Sequence, residues 1–157
     1  MRKRVSKIQS WMNQAEGRAN DRSHDKDTQV GCVITTPDYN VEIMTGYNGF
    51  VEDAPDDILP INRPDKYEFM QHAERNAINL AAKHGRALEG SVAICTMSPC
   101  AECTRALYTA GVRKVIFKEK YRTFEEVLKM KDIYVVEKGT TEEGFFVVEY
   151  LGGSKRP

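Results

Sequence analysis

At 157 residues the chain is sized for one domain, 1–157, and can bury a core without disulfide staples. Its 23 lysines and arginines balance 23 aspartates and glutamates, leaving no global field to recruit a nucleic-acid polymer or an anionic membrane. A small anionic ligand needs only a local cluster of cations and stays open.

The opening MRKRVSKIQSW is basic but lacks the apolar core of a secretory signal. No run reaches the roughly 18 apolar residues of a membrane span, so the expected location is the cytoplasm. Ile8, Trp11, Met12 and Ala15 recur at helical spacing and predict an amphipathic helix over 6–19, ended by Gly17 and a polar run. Residues 29–36 (QVGCVITT) and 41–47 (VEIMTGY), separated by a Pro37-Asp38 turn, read as the two arms of a hairpin. Gly46-Tyr47-Asn48-Gly49-Phe50 closes the second arm. Its plain reading is a turn; the other is a loop from which Asn48 reads a substrate. Residues 51–68, acidic and broken by Pro55, Pro60 and Pro64, read as a long irregular loop, and connections of that length are functional lids or disordered.

Residues 72–83 form a helix with Ala73, Ala77, Ile78 and Ala81 on its packed side and Gly85 as its stop. Residues 91–96 (SVAICT) are almost wholly apolar, as in a strand covered on both faces. A helix over 99–110 follows, with Pro99 where a missing amide hydrogen costs little. Then come a strand over 112–117, a short helix over 124–130 and a strand over 132–137. This alternation predicts a three-layer α/β/α sandwich around a five-stranded mixed sheet, an antiparallel hairpin followed by parallel strands. Residues 143–150 could add an edge strand or hairpin arm, and the tail after about 151 is expected to be disordered.

Residues 71–103 carry the chemistry. His72-Ala73-Glu74 opens one helix and Pro99-Cys100-Ala101-Glu102-Cys103 opens the next. One imidazole and two sulfurs suit a tetrahedral zinc and leave its fourth position to water, the mark of a catalytic site. Cys100 and Cys103 are three positions apart and share one face of a first turn, where the positive helix end favours thiolates. Glu74 sits two residues past His72, in reach of that water's protons without binding the metal. H-x-E with P-C-x-x-C is the pattern of zinc deaminases that act on nucleobases, the Glu serving as acid and base.

Each residue has a plainer reading. CxxC alone also suits a redox pair or a closed structural zinc, with His24 or His84 as the extra donor. Glu102 reads as a solvated helix-start charge. Cys32 and Cys95, inside apolar runs, read as small buried hydrophobes. Lys26, Arg63, Lys66, Lys118, Lys120 and Arg122 are candidates for a phosphate, each also readable as a surface charge. The 118–122 group is preferred because it follows an apolar strand at its C-terminal end, where α/β folds bind ligands.

Within the cytidine deaminase-like superfamily the chain resembles the deoxycytidylate (dCMP) deaminases from about residue 23 to residue 121. The resemblance rests on DKDTQVGCVI, GYNGF, DDILP, NRPDKYEFMQHAERNAI, SPCAEC and VIFKEKY. It implies zinc-dependent hydrolysis of dCMP to dUMP and ammonia, with Glu74 as acid and base and zinc on His72, Cys100 and Cys103. It implies that Asn48 contacts the nucleotide and Tyr121 lies near the sugar or phosphate, where Lys26, Lys118 and Lys120 supply charge. Asn76 fits a substrate role or a packing role equally.

The resemblance also implies a homo-oligomer, hexamer or dimer, with dCTP and dTTP as effectors in many relatives. Val51-Glu52-Asp53 stands where relatives carry a proline and a glycine, a departure at the place where effectors bind. The C-terminal stretch from Glu137 lies outside the resemblance and has no assigned role. Two rivals stand beside this reading. One is a deaminase of another cytosine nucleotide or nucleoside, 5-substituted dCMP included; the other is a non-catalytic, zinc-stabilised nucleotide-binding module. The intact Glu74 favours an enzyme.

Overall fold

The computed structural model describes residues 1–131 and 133–152. Helix α1 (Lys7–Arg22) starts where the Ser6 hydroxyl accepts the Gln9 amide and buries Met12, Ala15 and Ala19. It runs through Gly17, expected to be its end, because that glycine faces open space and costs only its poor propensity, about 1 kcal/mol. The backbone turns extended at Ser23 instead. Strands β1 (Gly31–Thr35) and β2 (Glu42–Tyr47) form the expected antiparallel hairpin. A two-residue strand β3 (Gly49–Phe50) and its partner β4 (Met70–Gln71) clip together the ends of the long loop, which contains a 3-10 turn over Asp65–Glu68.

Helix α2 (Ala73–Lys83), strand β5 (Val92–Met97), helix α3 (Ala101–Ala110) and strand β6 (Lys114–Glu119) follow as read from the sequence. A short helix α4 (Phe124–Leu128) leads to β7 (Val135–Thr140) and β8 (Phe146–Tyr150). β5 pairs antiparallel with β1 and parallel with β6. One core forms where α2 and α3 cover the sheet, around Ala77, Cys95, Leu107 and Phe117. A second gathers Met12 of α1 with Val92, Ile94, Ile116 and Phe145. The helix layers and mixed sheet match the expected sandwich.

The sheet has six strands rather than five, in the order β2-β1-β5-β6-β8-β7. The last expected parallel strand was to border β6, but β8 lies between them, antiparallel to both. The reason is burial. β8 sends Val148 and Tyr150 into one core and Val147 against the other, so it needs cover on both faces. β7 is exposed from Glu137 onward and takes the edge, where charged side chains block further strand pairing. Asp132, the expected first residue of that strand, and the tail from residue 153 lie outside the described residues. Among those described, no helix is long and apolar enough to cross a membrane.

Candidate metal centre and substrate cavity

Two helix starts meet at the C-terminal end of β5. His72 is the N-cap of α2 and Cys100 the N-cap of α3, both in extended backbone. α2 reaches its place because it crosses β2 at Gly46. A Cβ there would lie 2.4 Å from the Ala73 carbonyl oxygen and 2.6 Å from the Ala77 nitrogen. At α3 the Cys100 sulfur accepts the Cys103 amide at 3.4 Å, satisfying one of the helix's free N–H groups.

His72 Nδ1 lies 3.5 Å from Cys100 Sγ and 3.4 Å from Cys103 Sγ, and all three donor atoms fall within 4.8 Å of one another. Tetrahedral zinc with ordinary Zn–N and Zn–S bonds holds nitrogen and sulfur about 3.6 Å apart, so the donors fit that ion. Among the described residues they form the one His/Cys/carboxylate group spaced to hold a metal. The alternative fourth donors do not join this group. His24 pairs with Asp56 and accepts the Phe50 amide, and His84 caps the far end of α2. The hydrogen bond from Cys103 holds the Cys100 thiol down to about 4, against the pull of its burial. The His72–Cys100 bond raises the His72 imidazole, and the separate Cys103–Cys100 contact, with burial, keeps the Cys103 proton on. A dication binding here displaces such protons.

Glu74, one position into α2, is 3 % exposed and faces the same cavity as His72 and Cys100. Burial raises its carboxyl above the ordinary range, with its own backbone amide and His72 pulling the other way. A carboxyl so placed can take up and return a proton at a reacting group. Glu102, by contrast, is an exposed partner of Arg75 at 3.1 Å, an ion pair joining α2 to α3.

The cavity, about 250 Å³, is sized for one small molecule. Val30, Met70 and Met97 give it an apolar wall, while Arg63 and Arg122 bring positive charge and Asn48 and Tyr121 lie on its rim. Asn48 does line the cavity, but its amide is largely spent. Its Oδ1 accepts from the Ser23 hydroxyl at 2.6 Å and the Val30 amide at 2.9 Å, and its Nδ2 donates to the Thr28 carbonyl at 2.8 Å. One N–H is left for a ligand. Gly49 beside it leaves room for the His24 ring, whose Nδ1 would sit 2.3 Å from a Cβ. Asn76 donates to the Tyr47 carbonyl at 2.7 Å, the packing role.

The cations divide. Lys26 is exposed and outside the cavity wall. Lys118 lies off the wall too and pairs with Glu16 of α1 at 2.7 Å, while Lys120 lies over the rings of Phe124 and Phe146. Lys118 points from β6 toward α1, whereas Lys120 lies past the end of that strand, and neither lines the cavity. Lys66 lines the cavity yet is 1 % exposed, its ammonium bonded to Asp25 at 2.9 Å and Asp27 at 3.1 Å. Burial is the largest single effect and disfavours both charges, but Lys66 with the Asp27 and Thr28 amides together lower Asp25, and Asp25 with Asp27 together raise Lys66. The pair is therefore complete at neutral pH. Its contribution to stability is lost only as pH falls below the usual aspartate range or rises above the usual lysine range. Sequence reasoning missed Ser98, whose hydroxyl accepts the Tyr121 amide at 2.7 Å and fixes the turn carrying Arg122. Cys32 and Cys95, fully buried, lie side by side on β1 and β5.

A family model described as the cytidine and deoxycytidylate deaminase zinc-binding region matches residues 5–119. The chain is 32% identical over 149 residues to deoxycytidylate deaminase of Mus musculus, covering 87% of this chain and 82% of that protein. It is 32% identical over 136 residues to a probable deoxycytidylate deaminase of Caenorhabditis elegans, covering 74% and 68%. The crystal structure of dCMP deaminase from the cyanophage S-TIM5, in complex with dCMP and dUMP, aligns with a TM-score of 0.70 at 27% identity. That alignment covers 82% of this chain and 94% of the phage chain.

Proposed function

Because this chain belongs to the cytidine and deoxycytidylate deaminase family, we propose that it hydrolyses dCMP to dUMP and ammonia, with zinc held by His72, Cys100 and Cys103. The observation that carries the reading is a buried carboxyl, Glu74, in one cavity with three zinc-compatible donors. Zinc on such donors acts as a Lewis acid that brings the pKa of a water to about 7.

Glu74 accepts a proton from the attacking water and passes it to the ring nitrogen beside the amino-bearing carbon. Once the oxygen has bonded to that carbon, the carboxylate takes the proton of the new hydroxyl and gives it to the departing amine, so water and dCMP balance dUMP and ammonia. The apolar wall of Val30, Met70 and Met97 supports the base and excludes bulk water. Arg63 and Arg122 are the cations we assign to the phosphate, in place of Lys26, Lys118 and Lys120, because they alone of the proposed set line the cavity with an unshared charge role; Lys66 is committed to its two aspartates. The remaining N–H of Asn48 and the Tyr121 side chain are assigned to the sugar.

The proposal extends to a homo-oligomer, hexamer or dimer, supported by the exposed apolar side chains of Ile58, Ile61, Tyr67 and Phe69 on the loop beside the cavity. dCTP and dTTP as effectors rest on the family resemblance alone. Four free cysteines suit a reducing cytoplasm. Ammonia release from dCMP and from deoxycytidine, followed side by side, tests the substrate. dCMP is expected to be turned over far more efficiently; equal efficiency on the nucleoside would remove the phosphate from the reading.

A further inference from the structure

The matched family segment stops at residue 119, and the next residues, Lys120 to Phe124, cross from β6 to α4 along the cavity rim. Tyr121 and Arg122 of this turn line the cavity, and Lys120 does not. Instead the Lys120 ammonium sits 4.7 Å from the ring centroid of Phe146 and 5.2 Å from that of Phe124. Phe146 belongs to β8, part of the C-terminal stretch left without a role by the sequence. It stands in register with Phe117 of β6, and the Phe117 ring lies 5.4 Å from those of both Phe146 and Phe124. Two rings therefore sit under one cation, with Phe117 packed against both.

The turn is held at two more points. The Tyr121 amide donates to Ser98, and the Phe124 amide donates to the Tyr121 carbonyl at 3.0 Å. The Arg122 guanidinium lies 5.3 Å from the Tyr121 ring centroid, so its direction follows that of its neighbour. A lysine over two aromatic faces is attracted by both ring quadrupoles, and loss of that attraction frees the first residue of the turn.

We propose that the C-terminal hairpin of β7 and β8 is a positioning element of the substrate site, in which Phe146 clamps Lys120 and thereby aims Arg122 at the substrate phosphate. This rests on the assignment of Arg122 to the phosphate made above. Lys120 and Phe146 are positioning residues; neither touches the reacting atoms. The clamp acts on binding of the phosphate end and leaves the metal centre and Glu74 untouched.

Steady-state kinetics of the full chain with dCMP, and inhibition by dUMP, test it on Lys120→Met, Phe146→Leu, Phe146→Tyr and Arg122→Ala. Lys120→Met and Phe146→Leu are expected to raise KM for dCMP and weaken dUMP inhibition together, by roughly fivefold, with kcat unchanged. Phe146→Tyr, which keeps the ring, is expected to restore wild-type values. Lys120→Met carries the test if Phe146→Leu fails to fold. The proposal is overturned if Lys120→Met leaves KM unchanged, or if it lowers kcat with no change in KM as general loosening would. If Arg122→Ala also leaves KM and dUMP inhibition unchanged, the phosphate assignment falls with it. If Arg122→Ala weakens both while Lys120→Met does not, the clamp alone is wrong.

Discussion

Glu74 is one methylene longer than aspartate and nearly sealed from solvent, and both facts bear on its chemistry. A buried carboxyl holds its proton more tightly than an exposed one, so it can receive a proton from water and give it up again within one turnover. Replacing Glu74 with Gln keeps the shape and removes the proton carrier. Zinc content and thermal unfolding are expected to stay near wild type while kcat on dCMP falls by about 10²–10⁴. A Gln variant with undiminished turnover would take Glu74 out of the mechanism. The spacing of the two sulfurs was legible in the sequence because helix-start spacing is local: Cys100 and Cys103 must share a face whatever the rest of the chain does, while the approach of His72 to them depends on the fold. Lys66 was not legible. Its partners Asp25 and Asp27 lie 41 and 39 residues away, and only the closed loop turns a candidate phosphate cation into a buried ion-pair anchor. Asn48, readable either as part of a turn or as a substrate contact, proves to be bound mostly to its own neighbours.

Helix α2 carries both His72 at its cap and Glu74 in its first turn, so the whole centre depends on where α2 docks on β2. Gly46 sets that distance. Its substitution by Ala drives a methyl into the backbone of Ala73 and Ala77, and neither backbone can yield without moving the helix. Gly46→Ala is expected to lower stability by about 1–3 kcal/mol and to weaken zinc retention, read by denaturant unfolding and metal analysis. Wild-type values for both would mean that α2 is not held at this crossing. Most elements were readable from periodicity, including the hairpin and the paired β5-α3-β6 crossover. The order at the far edge was not, because the run over 132–137 and the run over 143–150 each contain a short apolar stretch that can form a strand next to β6. What decides is two-sided burial of β8 against the exposed charges of β7, a property of packing across both faces of the sheet.

At the scale of the whole molecule, the sheet gathers chemistry at one end. β5 delivers the chain to Cys100, β6 delivers it to Tyr121 and Arg122, and the β3–β4 clip brings the loop carrying Arg63 and Lys66 over the same cavity. The zinc-compatible donors, the buried carboxyl and the cavity-lining arginines thus come from segments far apart in the chain and are brought to a single opening. Balanced charge overall is consistent with this arrangement, since the positive groups needed for a phosphate are few and local. The most direct test of the central claim is to strip the protein of metal and measure dCMP deamination as zinc is returned in steps. The rate is expected to start near zero and climb in proportion to added zinc until one ion per chain is bound. Full activity in the stripped protein, or a climb that persists unchanged in Cys100→Ala, would contradict zinc chemistry at His72, Cys100 and Cys103.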